Sequence, residues 1–182
     1  LGRGVIATGS LGVTVRKCTF VACEDFAVQI TGVSARVDSC KVVGGGGGVN
    51  VIGNGFSVTK TTVRDVEDDG VRVNGLLGLV QSCSIAGTSI GQGIHLTGQG
   101  CVIEKCQITR TEAEAILLSN DDNLIQKNVI RDINDEGIHS LSANGTQVLS
   151  NTISGTANEA IVLDGDDVVV RKNKLSDFGA AG

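Results

Sequence analysis

Apolar residues come in short alternating runs along this chain, and the runs themselves repeat. One stretch shows the unit: Gly93-Ile-His-Leu-Thr-Gly98, followed by Ile103-Glu-Lys-Cys106-Gln-Ile108. The first phrase reads small, apolar, variable, apolar, variable, glycine. The second reads apolar, two variable, Cys or Asn, variable, apolar. The first phrase begins at Gly4, Ala27, Gly48, Gly70, Gly93, Ala115, Gly137 and Ala160, at steps of 21–23 residues. The second centres on Cys18, Cys40, Thr61, Cys83, Cys106, Asn128, Asn151 and Asn173, at the same steps. Two columns keeping one period across eight units identify a repeat architecture.

Within each unit the alternation has period two, and Val and Ile dominate between Gly, Asn, Asp and Ser. The elements are therefore strands. Strands about 22 residues apart run in the same direction, which makes the sheets parallel, with three short strands and three turns to a coil. Three columns point inward. One is Val5, Val28, Val49, Val71, Ile94, Ile116, Ile138 and Ile161; the others run from Val15 to Val170 and from Phe20 to Leu175. Each coil buries its apolar side chains against like residues in the next, so no unit is stable alone. Eight coils at about 4.8 Å each give a rod roughly 38 Å long.

The phrases GIHLTG, AIVLDG and GVRVNG, with IQKNVI, VLSNTI and IEKCQI, resemble the right-handed parallel β-helix repeat family. This is the architecture of pectate lyases, polygalacturonases and alginate epimerases. The resemblance covers essentially the whole chain. It implies an all-β, single-stranded right-handed parallel β-helix, a solenoid of about eight coils forming one domain over residues 1–182. It also implies a polysaccharide or glycan partner and a secreted or cell-surface location. These phrases specify architecture and say little about activity.

Composition agrees with stacked narrow coils. The chain is 41% hydrophobic but only 2% aromatic, and it has no Pro and 26 Gly. Absence of Pro suits backbone N–H groups committed to ladders, and Gly suits turns of positive φ. A net charge of −5 with no basic run argues against nucleic acid. No apolar run is long enough to insert in a membrane. The chain starts at Leu1, already in repeat and without Met, so we expect a segment of a longer chain. Phe178 is the one candidate plug near the last coil, and a flanking domain or oligomer partner is expected to cap the coil ends.

The six Cys do not read as a disulfide framework. Cys18, Cys40, Cys83 and Cys106 share a column with Asn128, Asn151, Asn173 and Thr61. In the Asn half we expect a ladder of amides satisfying turn backbone groups. In the Cys half the thiol acts as a small buried hydrophobe. Adjacent coils permit Cys18–Cys40 or Cys83–Cys106 bridges, but parallel stacked side chains favour free thiols. Cys23 and Cys101 look like filler. Neither the Cys nor the two His, 44 residues apart, have metal-ligand spacing, so no metal site is assigned from them.

Mixed chemistry collects on one outward face. The variable position of the first phrase reads Ile6, Gln29, Asn50, Arg72, His95, Leu117, His139, Val162. The next outward column includes Asn74 and Thr97. The turn before this strand is acidic, with Asp69, Glu114, Glu136 and Glu159 in one column and Gln92 among them. Arg72, His95, His139, Asp69, Glu114 and Glu136 are the candidate catalytic residues, and Asn50, Asn74 and Thr97 the candidate substrate contacts. Carboxylates one coil apart suit a retaining glycosidase and two coils apart an inverting one. Like charges so close should raise one another's pKa, and two or three together could hold Ca²⁺. The plainer reading is a row of solvated turn residues that keeps the rod soluble. The turns Asn120–Asn123 and Asp164–Asp167 read as Asx turns first, and the Gly44–Gly48 run as a flexible turn.

The catalytic signatures of the enzymes this fold resembles are absent. The Gly-His-Gly and Arg-x-Lys segments of polygalacturonases do not occur, and a chain without Tyr or Pro cannot carry the Asp-Pro-His context of uronate epimerases and lyases. Sugar grooves usually stack rings on aromatic side chains. Here there is no Trp or Tyr, and Phe20, Phe56 and Phe178 fall in inward columns. Two classes of function stay open. One is a polysaccharide-interacting module from a lyase, epimerase or hydrolase. The other is a non-catalytic structural or adhesive solenoid, or a protein-binding platform, favoured by the uniform coil length.

Overall fold

The computed structural model describes residues 2–179, which form strands and turns with no helix. Every strand pairing is parallel and joins residues one coil apart, giving a parallel β-solenoid. The register reproduces all three inward columns: Val5 pairs Val28 and so on to Ile138 with Ile161. The second ladder carries Val15 to Val170, and the third Phe20 to Leu175. Side chains of the middle coils in these columns are fully buried, from Val71 and Ile94 to Ile130 and Ile138.

The three ladders form two sheets rather than three. One has eight strands, and the other has fourteen because two ladders merge in the early coils. There the strands Thr19–Val33 and Lys41–Ile52 run through the turn without a break. The Gly44–Gly48 run, expected as a flexible turn, is thus part of a twelve-residue strand. With no side chains to clash, its backbone lies directly along the neighbouring coils.

The small residue that opens the first phrase has a steric cause. A Cβ on Gly93 would sit 2.5 Å from Ile108 Cγ2 and 2.6 Å from the Ala115 carbonyl oxygen. The third ladder therefore packs straight onto the start of the first.

Positive φ falls mostly on other residues than glycine. The corner between the second ladder and the Cys/Asn column is Lys17, Ser39, Lys60, Ser82, Lys105, Lys127, Ser150 and Lys172, with φ between 49° and 60° in every coil. A single left-handed residue costs an L-amino acid about 1–2 kcal/mol. Hydrogen bonds on both sides hold the corner in place. The corner N–H of Lys105 donates to Gln126 O, and the next residue, Cys106, donates its N–H to Asn128 Oδ1 at 2.9 Å.

The amide ladder forms as expected. Asn128 Nδ2 donates to Asn151 Oδ1 at 3.0 Å, and Asn151 Nδ2 to Asn173 Oδ1 at 3.1 Å. The same amides also donate to the carbonyls of Ile103 and Ile125. All six Cys are free thiols, and burial pushes the Cys40 and Cys101 thiols up. The turns at Asp121 and Asp166 interlock through Asn144, whose N–H donates to Asp121 and whose Oδ1 accepts from the Asp166 N–H.

Two of the four phenylalanines differ from expectation. Phe178 pairs with Thr156 in an inward column but is half exposed, because no described coil stacks on it. Phe26, not read as inward, is buried.

Candidate functional site

The first ladder sets its outward residues in register: Asn50 beside Arg72, Arg72 beside His95, and His95, Leu117 and His139 in successive coils. The acidic turn column precedes each of these strands, and its backbone also runs in register, with Gly70 N–H on Gln92 O and Gly93 N–H on Glu114 O. A side chain in the turn column can therefore reach a side chain on the strand face of its own coil or the next.

Asp69 does both. Its side chain is fully buried. Arg72 Nε donates to Asp69 Oδ2 at 2.7 Å, while Arg72 Nη2 donates to Asp68 Oδ1 at 2.9 Å. His95 Nδ1 lies 3.2 Å from Asp69 Oδ2, and the Gln92 N–H donates to Asp69 Oδ1 at 2.8 Å. Burial alone would raise this carboxyl. The hydrogen bonds from His95, Arg72 and Gln92, with the Arg72 charge, outweigh it and hold Asp69 below the usual carboxylate range. A carboxylate held ionised fixes the His95 proton on Nδ1 in the neutral ring and leaves Nε2 with its lone pair. The solvated-turn reading therefore fails at Asp69, and so does the expected upward shift from like charge.

Two coils further on, a second histidine meets a different set. His139 Nδ1 lies 3.3 Å from Glu114 Oε1 and 3.8 Å from Glu136 Oε2. The Glu114, Glu136 and His139 side chains keep 13%, 16% and 24% of their surface. Gln92 Nε2 donates to the other Glu114 oxygen at 3.1 Å. Burial, then a hydrogen bond with Asp135 and its charge, push Glu136 up, against a smaller opposing pull from His139. The like charge that contributes is the sequence neighbour Asp135, not the acid one coil away that was expected. The three donor atoms lie within 4.8 Å of one another.

Of the expected substrate contacts, Asn50 is buried and its Oδ1 has no hydrogen-bond partner. Asn74 is exposed, and Thr97 is half-buried with Oγ1 3.5 Å from Val73 O. Glu159 is exposed and stands one coil beyond Glu136.

Sequence reasoning missed Phe26 and the bridging part of Gln92. Phe26 stands in the acidic column itself, since it precedes Ala27 as Asp69 precedes Gly70. Its ring covers Gly47, where a Cβ would meet Phe26 Cδ1 at 2.7 Å, and the Arg72 guanidinium lies 5.0 Å from the ring centre. Arg72 is thus sandwiched between a buried ring and two aspartates, which makes it a positioning residue.

Among the described residues, only short turns connect the strands beside this face. A surface depression of about 480 Å³ lies elsewhere, over the corner formed by Arg110, Glu112, Asp132 and Asn134, and includes none of these side chains. The strip is an open sheet face whose chemistry comes from pairs of side chains rather than from a cavity.

A family model described as right-handed β-helix region matches residues 3–175. Among solved structures, the A-module of mannuronan C-5 epimerase AlgE6 from Azotobacter vinelandii aligns with a TM-score of 0.64 at 12% identity. The alignment covers 93% of this chain and 59% of that module. At this identity the likeness is one of fold. The A-module of AlgE4 from the same organism aligns over 97% of this chain and 78% of its own at 10% identity, with a TM-score of 0.19 that carries no argument. No curated protein matches the sequence.

Proposed function

The chain belongs to the right-handed β-helix family, and on that premise we propose that its first-ladder face engages a polysaccharide, with Asp69 and His95 as a proton-transfer pair. The observation that carries this reading is the His95 Nδ1 contact with a buried, ionised Asp69. It is the arrangement by which a carboxylate orients an imidazole so that its far nitrogen takes or gives a proton. Arg72 and the Gln92 N–H keep Asp69 in place. Asn74 and Thr97 lie two residues beyond Arg72 and His95 along their strands and supply an amide and a hydroxyl for sugar hydroxyls, whereas Asn50, one coil before Arg72, is buried.

The reaction class this favours is proton abstraction, as in lyases and epimerases. Hydrolysis would instead use Glu114 and Glu136, one coil apart, with Glu136 as the acid. A fold shared with a mannuronan epimerase module agrees with the polysaccharide reading without specifying the sugar. A secreted or cell-surface setting goes with it.

The test is turnover and binding on a panel of acidic and neutral polysaccharides, with and without Ca²⁺. We expect His95→Ala to lower turnover by about 10²–10⁴-fold, the contribution typical of a positioned acid or base, and Asp69→Asn to lower it through His95. Unchanged turnover in His95→Ala would remove the assigned pair. Silence from all proteins on the whole panel would leave a structural solenoid as the better account. That second reading rests on the short, uniform coils, which among the described residues carry no long inserted loop.

A further inference from the structure

The two histidines of this face sit in different electrostatic settings, and the repeat supplies the control. Three residues after Asp69 comes Arg72, which meets the aspartate's charge. Three residues after Glu114 comes Leu117, a buried aliphatic residue. Glu114 and Glu136 are two half-buried carboxylates, and among the described residues no Lys or Arg is ion-paired with either. Their close polar partners are His139, the amide of Gln92 and a third acid, Asp135. Carboxylates removed from water without a compensating cation are unfavourable.

We propose that Glu114, Glu136 and His139 form a binding site for one divalent transition-metal ion of the Zn²⁺ class. The donor set is mixed, one imidazole nitrogen and two carboxylate oxygens. That suits Zn²⁺ and its neighbours, whereas Ca²⁺ takes six to eight oxygens. With bonds of about 2.0–2.2 Å, tetrahedral ligands stand roughly 3.4 Å apart. His139 Nδ1 is already 3.3 Å from Glu114 Oε1 and 3.8 Å from Glu136 Oε2. All three atoms lie within 4.8 Å, so small side-chain rotations complete the triangle. Gln92 Nε2 holds the second oxygen of Glu114 and turns Oε1 toward the histidine, as outer partners of metal ligands do. The open strand face leaves a fourth position for water or a ligand.

This inference does not rest on the polysaccharide reading, because metal binding is read without any glycan. The purified chain is stripped with a chelator and titrated calorimetrically with Zn²⁺ and, separately, with Ca²⁺. Co²⁺ absorption identifies the ligands. We expect one equivalent of Zn²⁺, preferred over Ca²⁺, and a cobalt spectrum without a thiolate charge-transfer band, which keeps the six cysteines out of the site. Affinity should fall at least about tenfold in His139→Ala and in Glu114→Gln, and stay unchanged in His95→Ala, with far-UV circular dichroism reporting the fold of each. The absence of saturable binding, equal binding by His139→Ala, a thiolate band, or a preference for Ca²⁺ would each overturn the proposal.

Discussion

Asp69 and Glu114 stand two coils apart in one turn column, each touching a histidine of the strand face, yet they are different objects. Asp69 is short, fully buried and met by Arg72, His95 and a backbone N–H, and its carboxyl stays ionised. Glu114 reaches further, faces another acid across His139, and has Leu117 where Asp69 has Arg72. The repeat copies the backbone position faithfully. The chemistry at that position is decided by the residue three places on and by the length of the acidic side chain.

The sharpest way to break this comparison is to remove each acid. Asp69→Ala strands Arg72 and His95 beside a buried gap and should cost about 3 kcal/mol in urea unfolding. Glu136→Ala relieves an unmatched charge in the metal-free protein and should change stability by no more than about 0.5 kcal/mol. Equal losses would mean that the two halves are energetically alike. The pH dependence follows from the same contrast. The folded Asp69 carboxyl is held below its unfolded value of about 3.9, so its stabilisation is complete above that value and is lost as pH falls through the lower folded value. Asp69→Asn should therefore flatten the acid limb of stability against pH.

A smaller effect comes from making one half resemble the other. Leu117→Arg gives Glu114 the cation that Asp69 has. It should weaken Zn²⁺ binding at least about tenfold and, because Leu117 is buried, cost about 1–3 kcal/mol of stability. Undiminished zinc affinity would show that charge compensation is not what separates the two halves. The smallest change expected is at Phe26→Leu, which removes the ring under Arg72 and should cost about 1 kcal/mol. It should also move the His95 ring resonances in NMR spectra while leaving those of His139 alone, since only His95 shares Asp69 with Arg72. Equal shifts at both histidines would argue against two independent halves.

The inward columns were legible because aliphatic side chains report their coil position directly, and every predicted Val and Ile register appears in the pairing from Val5 to Ile161. The Asn ladder was legible for the same reason, since its function is itself periodic. The strand-face column, with His95 and His139, could also be read. What could not be read was reach. A one-letter column treats Asp69, Glu114 and Phe26 as equivalent or unrelated, whereas the lengths of their side chains decide whether each ends in a buried pocket, at the next coil's histidine or over Gly47. The Gln92 N–H was hidden in another way, because backbone donors leave no mark in sequence. Phe26 could have been found, since counting back one residue from Ala27 places it in the acidic column.

The change of the corner column from thiol to amide has a consequence for how the chain finds its alignment. The aliphatic columns are so alike that stacking a coil on the wrong neighbour would cost little in apolar contact. Asn128, Asn151 and Asn173 bond to one another in sequence, and the last thiol, Cys106, gives its N–H to the first amide. A slip by one coil would set a buried amide against a thiol that cannot satisfy it, a mismatch of the kind that fixes register in other repetitive assemblies. The column thus numbers the coils, and a rod built from near-identical parts has a single way to count them.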